Sequence, residues 1–342
     1  MSSSRPFDTE LPLVAAPMAG GPSTTALVQA VAGAGGLGFL AAGYKTPERM
    51  AEELDTARGW GVPFGVNLFV PNDQPYDEQA LNAYAAELAD EAAALGAEVR
   101  FAPGADDDHW ADKIALLLDA PVPAVSFSFA LPDRSLIAEL KGRGTVVLQT
   151  VTTLDEARAA LDAGVDALVV QGPRAGGHSA TWTPTRAIED FPTARIVARI
   201  RALTSVPIIG TGGVDGPGTV REIMAAGADG VAIGTLLVRA EESGASPVYQ
   251  DALVSGEFTR TTITRAFTGR PARGLHNGFI ERHGEHAPTA YPAVHRMTSP
   301  MRTRAWITGD TDRLSLWAGT GFASAQAAPT AQILHGLASQ LP

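Results

Sequence analysis

The sequence predicts an α/β protein, a (β/α)8 TIM barrel with a small inserted second lobe, and three observations carry that expectation. Short apolar runs rich in Val, Ile and Phe recur along the 342 residues, each followed by a Gly or Pro break and then by an Ala-Leu-Glu stretch with helical spacing. Roughly eight such units, each reading as buried on both faces, fit a closed parallel barrel. The phrase Ala-Gly-Val-Asp-Ala-Leu-Val-Val at 163–170 returns as Ala-Gly-Ala-Asp-Gly-Val-Ala-Ile at 226–233, one helix-to-strand junction used twice.

In chain order the strands are expected at Val14 to Met18, Gly36 to Ala42, Phe64 to Val70, Val125 to Ala130, Val146 to Val151, Ala167 to Gln171, Pro207 to Gly212 and Val231 to Leu237. Between them lie helical patterns such as Leu154 to Ala163, with Asp155 and Glu156 early, and Thr219 to Ala226; each stops at a glycine, Gly164 or Gly227. Two stretches break the rhythm. Asn72 to Pro121 holds more helix than one crossover needs, and in Ser243 to Pro300 Pro, Gly, His and Arg interrupt every period. The second reads as an inserted lobe at 243–300, leaving 1–242 and 301–342 to the barrel, with Ser324 to Leu341 as its closing helix.

Composition narrows the function classes. A net charge of −11 argues against nucleic acid and anionic membrane, whose binding rests on surplus Lys and Arg. With no Cys, disulfides, thiolate-held clusters and catalytic thiols are excluded, so redox chemistry would need a borrowed cofactor. The first residues lack the apolar run of a signal peptide and no later stretch reads as a spanning helix, so the expectation is a cytoplasmic protein acting on a small molecule, of undetermined oligomeric state.

Loops that follow barrel strands form the active-site face, and four glycine-rich elements fall there. Ala15-Ala-Pro-Met-Ala-Gly-Gly21 has side chains small enough to let backbone lie against a flat ring, although taken alone it reads equally as an ordinary turn. Gly210-Thr-Gly-Gly-Val214 and Gly234-Thr235 end the seventh and eighth strands, where barrels often hold a phosphate on exposed amides without a lysine. Gln171-Gly-Pro-Arg-Ala-Gly-Gly-His178 delivers a histidine on a flexible loop, suited to act as acid, base or anion contact. His276, His283, His286 and His295, with Glu281 and Glu285, match no metal-ligand spacing and read as a polar lid over the pocket.

Taken together, Ala16-Pro-Met-Ala-Gly-Gly, Ala34-Gly-Gly-Leu-Gly, Phe64-Gly-Val-Asn-Leu, Val125-Ser-Phe-Ser-Phe, the Gln171-to-His178 segment, Thr211-Gly-Gly-Val and Ile233-Gly-Thr resemble the nitronate monooxygenases, formerly 2-nitropropane dioxygenases. Tyr291-Pro, Thr298-Ser-Pro-Met-Arg302 and Leu316-Trp-Ala-Gly319 are similar to the C-terminal pattern of the bacterial class I members, so the resemblance spans nearly the whole chain. It implies FMN as cofactor and oxidation of alkyl nitronates by O2. It implies too that Met18 with Ala16, Pro17, Ala19 and Gly20, together with Asn67 and Gln171, lines the flavin ring and ribityl chain. Gly176, Gly177, Gly212, Gly213, Gly234 and Thr235 would hold the phosphate end, and His178 would be the catalytic histidine, with no metal. His178 would hold the nitronate oxygens, or, with a neutral nitroalkane, remove the α-proton.

Family members usually carry Glu where this chain has Arg174, His at Ser128, Gly at Ala130 and Gln at Thr320, so the substrate side departs from the pattern. Arg174 either brings positive charge to an anionic substrate or points to solvent. Two other functions share the fold and motifs: an FMN- and NAD(P)H-dependent reductase of enoyl thioesters or similar substrates, and a flavin-binding barrel without nitronate activity.

Overall fold

The structure, a computed structural model, describes residues 9–72, 74–104 and 106–341. In chain order its strands are β1 (Leu13–Ala15), β2 (Leu37–Ala41), β3 (Gly65–Phe69), β4 (Ala124–Ser128), β5 (Val146–Val151), β6 (Ala167–Gln171), β7 (Gly177–His178), β8 (Ile208–Thr211), β9 (Gly230–Ile233), β10 (Thr261–Thr264) and β11 (Ala272–Leu275). All but β7, β10 and β11 are parallel neighbours in one closed barrel, sealed where β9 pairs β1 with Leu13 opposite Val231. Helices connect the barrel strands, so the architecture is the (β/α)8 barrel.

Strand residues divide between two cores because successive side chains point to opposite faces. Val14, Leu37, Phe39, Leu148 and Ile209 belong to a small cluster shared across the barrel strands, while their neighbours Leu13, Leu40, Val147 and Ile208 join the larger layer that includes the helices. Helix starts are marked by caps readable in the sequence: Thr24, Thr46 and Thr153 each accept a bond from the amide three residues on. At the other end Gly164 takes the left-handed conformation, φ 90°, that closes the helix Leu154–Ala163.

The first and last barrel strands end three or four residues sooner than expected. The first stops at Ala15 because Pro17 has no N–H and Met18 folds into a turn, its amide donating to Ser23 Oγ at 2.9 Å. The last stops at Ile233, and Thr235–Leu237 winds into a 3-10 turn.

The two irregular stretches pack on each other. The first contributes the helices Glu78–Ala94 and Trp110–Asp119. Leu81, Tyr84 and Leu88 of the longer one form a separate core with Phe267, Phe279, Val294, Met297 and Met301. The 243–300 segment also carries the helices Pro247–Ala252 and Gly278–His283 together with β10 and β11. The latter pair joins β7 in a small antiparallel sheet, order β10-β11-β7, so a barrel loop is stitched into the 243–300 segment. A helix, Ala293–Thr308, runs through the boundary expected at 300, because Met297 and Met301 on either side of it bury in the same core. The C-terminal helix is Thr330–Ala338. Among the described residues no helix is long and apolar enough to cross a membrane.

Candidate active site

A cavity of about 470 Å³ opens beyond the strand C-termini. Its wall contains Ala16, Pro17, Met18, Ala19, Gly20, Asn67, Gln171, Gly176, Gly177, His178, Gly212, Gly213, Gly234 and Thr235, so the separate motifs of the sequence meet in one place. Its lining includes no Asp or Glu among the described residues.

One side of the cavity is backbone. Gly212 and Gly213 follow β8 with φ of 115° and 73°, a conformation L side chains rarely adopt. The amides of Gly213 and Gly234 donate to no protein acceptor among the described residues and border the cavity. Free N–H groups that border one cavity from two neighbouring loops are available to hydrogen-bond an anion. Gly176 is needed for packing: a Cβ there would lie 2.5 Å from Gly319 N. Thr235 Oγ1 accepts from that same Gly319 amide at 2.9 Å, which ties the C-terminal strap to the loop after β9.

Two polar side chains expected at the ring are engaged with protein. Gln171 Nε2 donates to His178 O at 3.1 Å and its Oε1 accepts from Ala180 N at 2.8 Å, so its carboxamide closes the loop that carries His178. Asn67 Nδ2 donates to Ser126 Oγ at 2.9 Å and Ser128 Oγ at 3.1 Å, across the ends of β3 and β4.

The opposite wall is built of side chains, and most of it was not legible in advance. His178 lies within ring contact of Phe129, Tyr291 and Trp317, with its Nε2 3.0 Å from Thr268 Oγ1. Burial first, then the charges of Arg270, His295 and Arg302, hold its pKa well below the ordinary histidine range. His295, stacked on Tyr44 at 4.5 Å, is pushed down to about 3, again chiefly by burial and then by Arg302 and Arg296. Both imidazoles are therefore neutral at pH 7.

The cations behind this wall are Arg270 and Arg302. Arg270 is 1% exposed, bonds Ser179 O and Thr181 O, and lays its guanidinium over Phe129 at 3.9 Å. Phe129 itself has φ 81°, an uncommon state for a non-glycine residue that its surroundings must enforce. Arg302 lines the cavity; Nε bonds Thr298 Oγ1 at 3.1 Å and Nη2 bonds His295 O at 2.9 Å, leaving Nη1 without a protein acceptor among the described residues. Burial lowers both guanidiniums to about 10, which keeps them charged.

Arg174 points away. It makes two 3.0 Å bonds to Asp190 at the surface. Its side chain and Thr320 back onto Gly213, where a Cβ would meet Arg174 Cβ at 2.8 Å and Thr320 Oγ1 at 3.3 Å. Two of the four departures from the family pattern thus sit behind the glycine loop, not on the side-chain wall. The histidines grouped by sequence also separate: His276 pairs with Glu281, His283 and His286 with Glu87, and only His295 reaches the cavity.

Comparison with known proteins agrees along the whole chain. The family model for nitronate monooxygenase matches residues 6–340. A probable nitronate monooxygenase of Staphylococcus aureus is 33% identical over 337 residues, covering 97% of this chain and 94% of that one. Among solved structures, a nitroalkane oxidase from Streptomyces ansochromogenes superposes with a TM-score of 0.93 at 44% identity, covering 97% of this chain and 96% of that one. FabK from Thermotoga maritima gives 0.75 at 26% identity, covering 98% and 93%.

Proposed function

The chain belongs to the nitronate monooxygenase family, a flavin-dependent family of oxidoreductases, and from that premise we propose that it uses FMN and O2 to oxidise small nitronates in this cavity. The observation that carries the proposal is the contrast within the lining: free amides at one end, and at the other two neutral imidazoles beside a guanidinium, with no carboxylate among the described residues. That is an arrangement for a phosphate and a second, smaller anion.

The residues present fit the cofactor. The glycine amides of 213 and 234 would take the phosphate, and the small side chains of Ala16 to Gly20 would lie along the ring, with Asn67 and Gln171 at its polar edge. The volume falls within the usual range of cofactor clefts, about 300–1,000 Å³. When bound, the flavin supplies the electron-accepting ring that oxidises the nitronate and is turned over by O2.

The protein's own part is to hold an anion. Neutral His178 can donate one ring N–H to a nitronate oxygen, and a cationic form is disfavoured by burial beside Arg270 and Arg302. With a neutral nitroalkane the same imidazole, already deprotonated, takes the α-proton at its free nitrogen, and the two guanidiniums favour the anion that forms. Thr268 orients the ring through its hydroxyl. The inserted segment at 243–300 supplies Thr268, Arg270, Tyr291 and His295, which makes it the substrate-side half of the site.

The test is anaerobic mixing of the FMN-loaded protein with propionate 3-nitronate while the flavin spectrum is followed. Rapid reduction in the native protein, lost or much slowed in His178→Ala, is the expected result. A flavin that stays oxidised with nitronate and bleaches with NADH or NADPH would reassign the chain as a reductase; one that no donor reduces would leave a flavin-binding barrel.

A further inference from the structure

We propose that Tyr44 limits the length of the substrate, acting as a partition between two chambers, and that an ion pair between the buried Lys113 and the half-buried Asp108 holds it in place. The proposal rests on the reading of the inner cavity as the nitronate site. Beside that cavity lies a second of about 460 Å³, reaching toward Asn72, Pro292 and Arg296. The two share one wall, made of Tyr44, Phe69, Phe129 and His295.

Tyr44 is a member of that wall whose backbone is gripped by a side chain from another loop. It stands in the loop after β2 with φ 66°, sparsely populated for a residue with a side chain. Its ring is stacked on His295 and edge-on to Phe69 at 5.5 Å, and its hydroxyl meets that of Tyr291 at 3.3 Å. The preceding Gly43 lies so close to Phe69 that a Cβ would come within 2.2 Å of the ring. Within the loop a turn bond from Lys45 N to Ala42 O at 3.2 Å supports this shape.

A charge from another loop adds to it. The Tyr44 amide donates to Asp108 Oδ1 at 2.9 Å, and Asp108 Oδ2 takes Lys113 Nζ at 2.8 Å. Lys113, 1% exposed, also donates to Ala42 O at 3.0 Å. One ammonium therefore ties both the carboxylate that grips Tyr44 and the carbonyl two residues before it. A lysine desolvated to this degree is costly to leave without its partners, which favours the arrangement that keeps both contacts. Asp108 and His109 are themselves left-handed, φ 56° and 55°, in a loop whose amides at 108 and 109 donate to Asp106 Oδ1 and Asp107 Oδ1.

The experiment compares ethylnitronate with hexylnitronate on the FMN-loaded enzyme. In Tyr44→Ala the chambers join, and the hexyl-to-ethyl ratio of kcat/KM rises by about tenfold or more. Tyr44→Phe keeps the ring, so the ratio holds within about twofold. The paired change Asp108→Ala with Lys113→Met removes both charges together and leaves no unpaired ammonium. It raises the ratio in the same direction by a smaller factor and adds nothing further in the Tyr44→Ala background, the non-additivity expected of residues acting through one another. Amide hydrogen exchange of the 42–46 segment reads the latch without turnover and should accelerate in the paired variant. An unchanged ratio in Tyr44→Ala overturns the partition, and unchanged exchange overturns the latch. A native enzyme inert to both nitronates overturns the nitronate reading and the length assignment with it, while the exchange data still judge the latch by themselves.

Discussion

On one side of the cavity the atoms offered to a ligand are the amides of Gly213 and Gly234; on the other they are the side chains of Phe129, His178, His295 and Arg302. The first side comes from loops that follow β8 and β9, where strand ends bring N–H groups together regardless of what side chains surround them. The second draws on three separate places in the chain, among them the helix Ala293–Thr308 that carries both His295 and Arg302. Backbone recognition suits a group that does not vary, such as a cofactor phosphate. Side-chain recognition can be retuned residue by residue, and this is where a family would diversify its substrates.

The contrast is open to direct attack. His178→Ala should lower kcat/KM for a neutral nitroalkane by about 10²–10⁴, the usual worth of a positioned acid-base group, with FMN affinity unchanged. Arg302→Met removes the guanidinium beside the cavity; a charged hydrogen bond is worth about 1.5–3 kcal/mol, so KM for an anionic nitronate should rise at least about tenfold, and KM for a neutral nitroalkane much less. Loss of FMN in either variant would show that the two walls are not separate.

Acid should act through the side-chain wall. The folded pKa values of His178 and His295 lie below the unfolded value near 6.5, so the unfolded chain binds more protons in that window. Each neutral imidazole contributes stability that is complete above about pH 6.5 and is lost as pH falls toward its folded pKa, by at most about 1.4 kcal/mol per pH unit. Urea midpoints at pH 7.5 and 5 should show the loss, and His295→Gln should reduce it. By the same sign, kcat/KM should hold from pH 8 to 6 and not fall near 6.5.

Gly213→Ala tests the backbone wall. A side chain at φ 73° costs about 1–2 kcal/mol and must displace Arg174, so FMN should bind about tenfold more weakly, while KM at saturating FMN stays put. The smallest effect is expected from Arg174→Gln, which breaks a surface pair with Asp190: stability and KM should change by no more than about 0.5 kcal/mol.

These differences track what could be read from residues in a row. The barrel was legible because βα units announce themselves locally, by an apolar run and in several places by a capping Thr or a terminal Gly, as Thr153 and Gly164 do. The glycine wall was legible too, since position after a strand is enough to place Gly212, Gly213 and Gly234. Arg302 and His295 carried no such signal. Their motif or loop was visible, but which way each faced depended on the helix Ala293–Thr308 and on the core it shares with the distant helix Glu78–Ala94. Arg174 shows the converse: a charge in the right loop, turned outward by Asp190.

By itself, then, the sequence determined the barrel, its eight strands and the loops whose backbone can seat a phosphate, because those depend on periodicity and on glycine within short windows. Tertiary structure alone decided which cations and rings face the cavity, that the histidines there are neutral, and that Asp108, 64 residues further along the chain, grips Tyr44. Burial and long-range pairing set those properties, and neither is a property of any window of sequence.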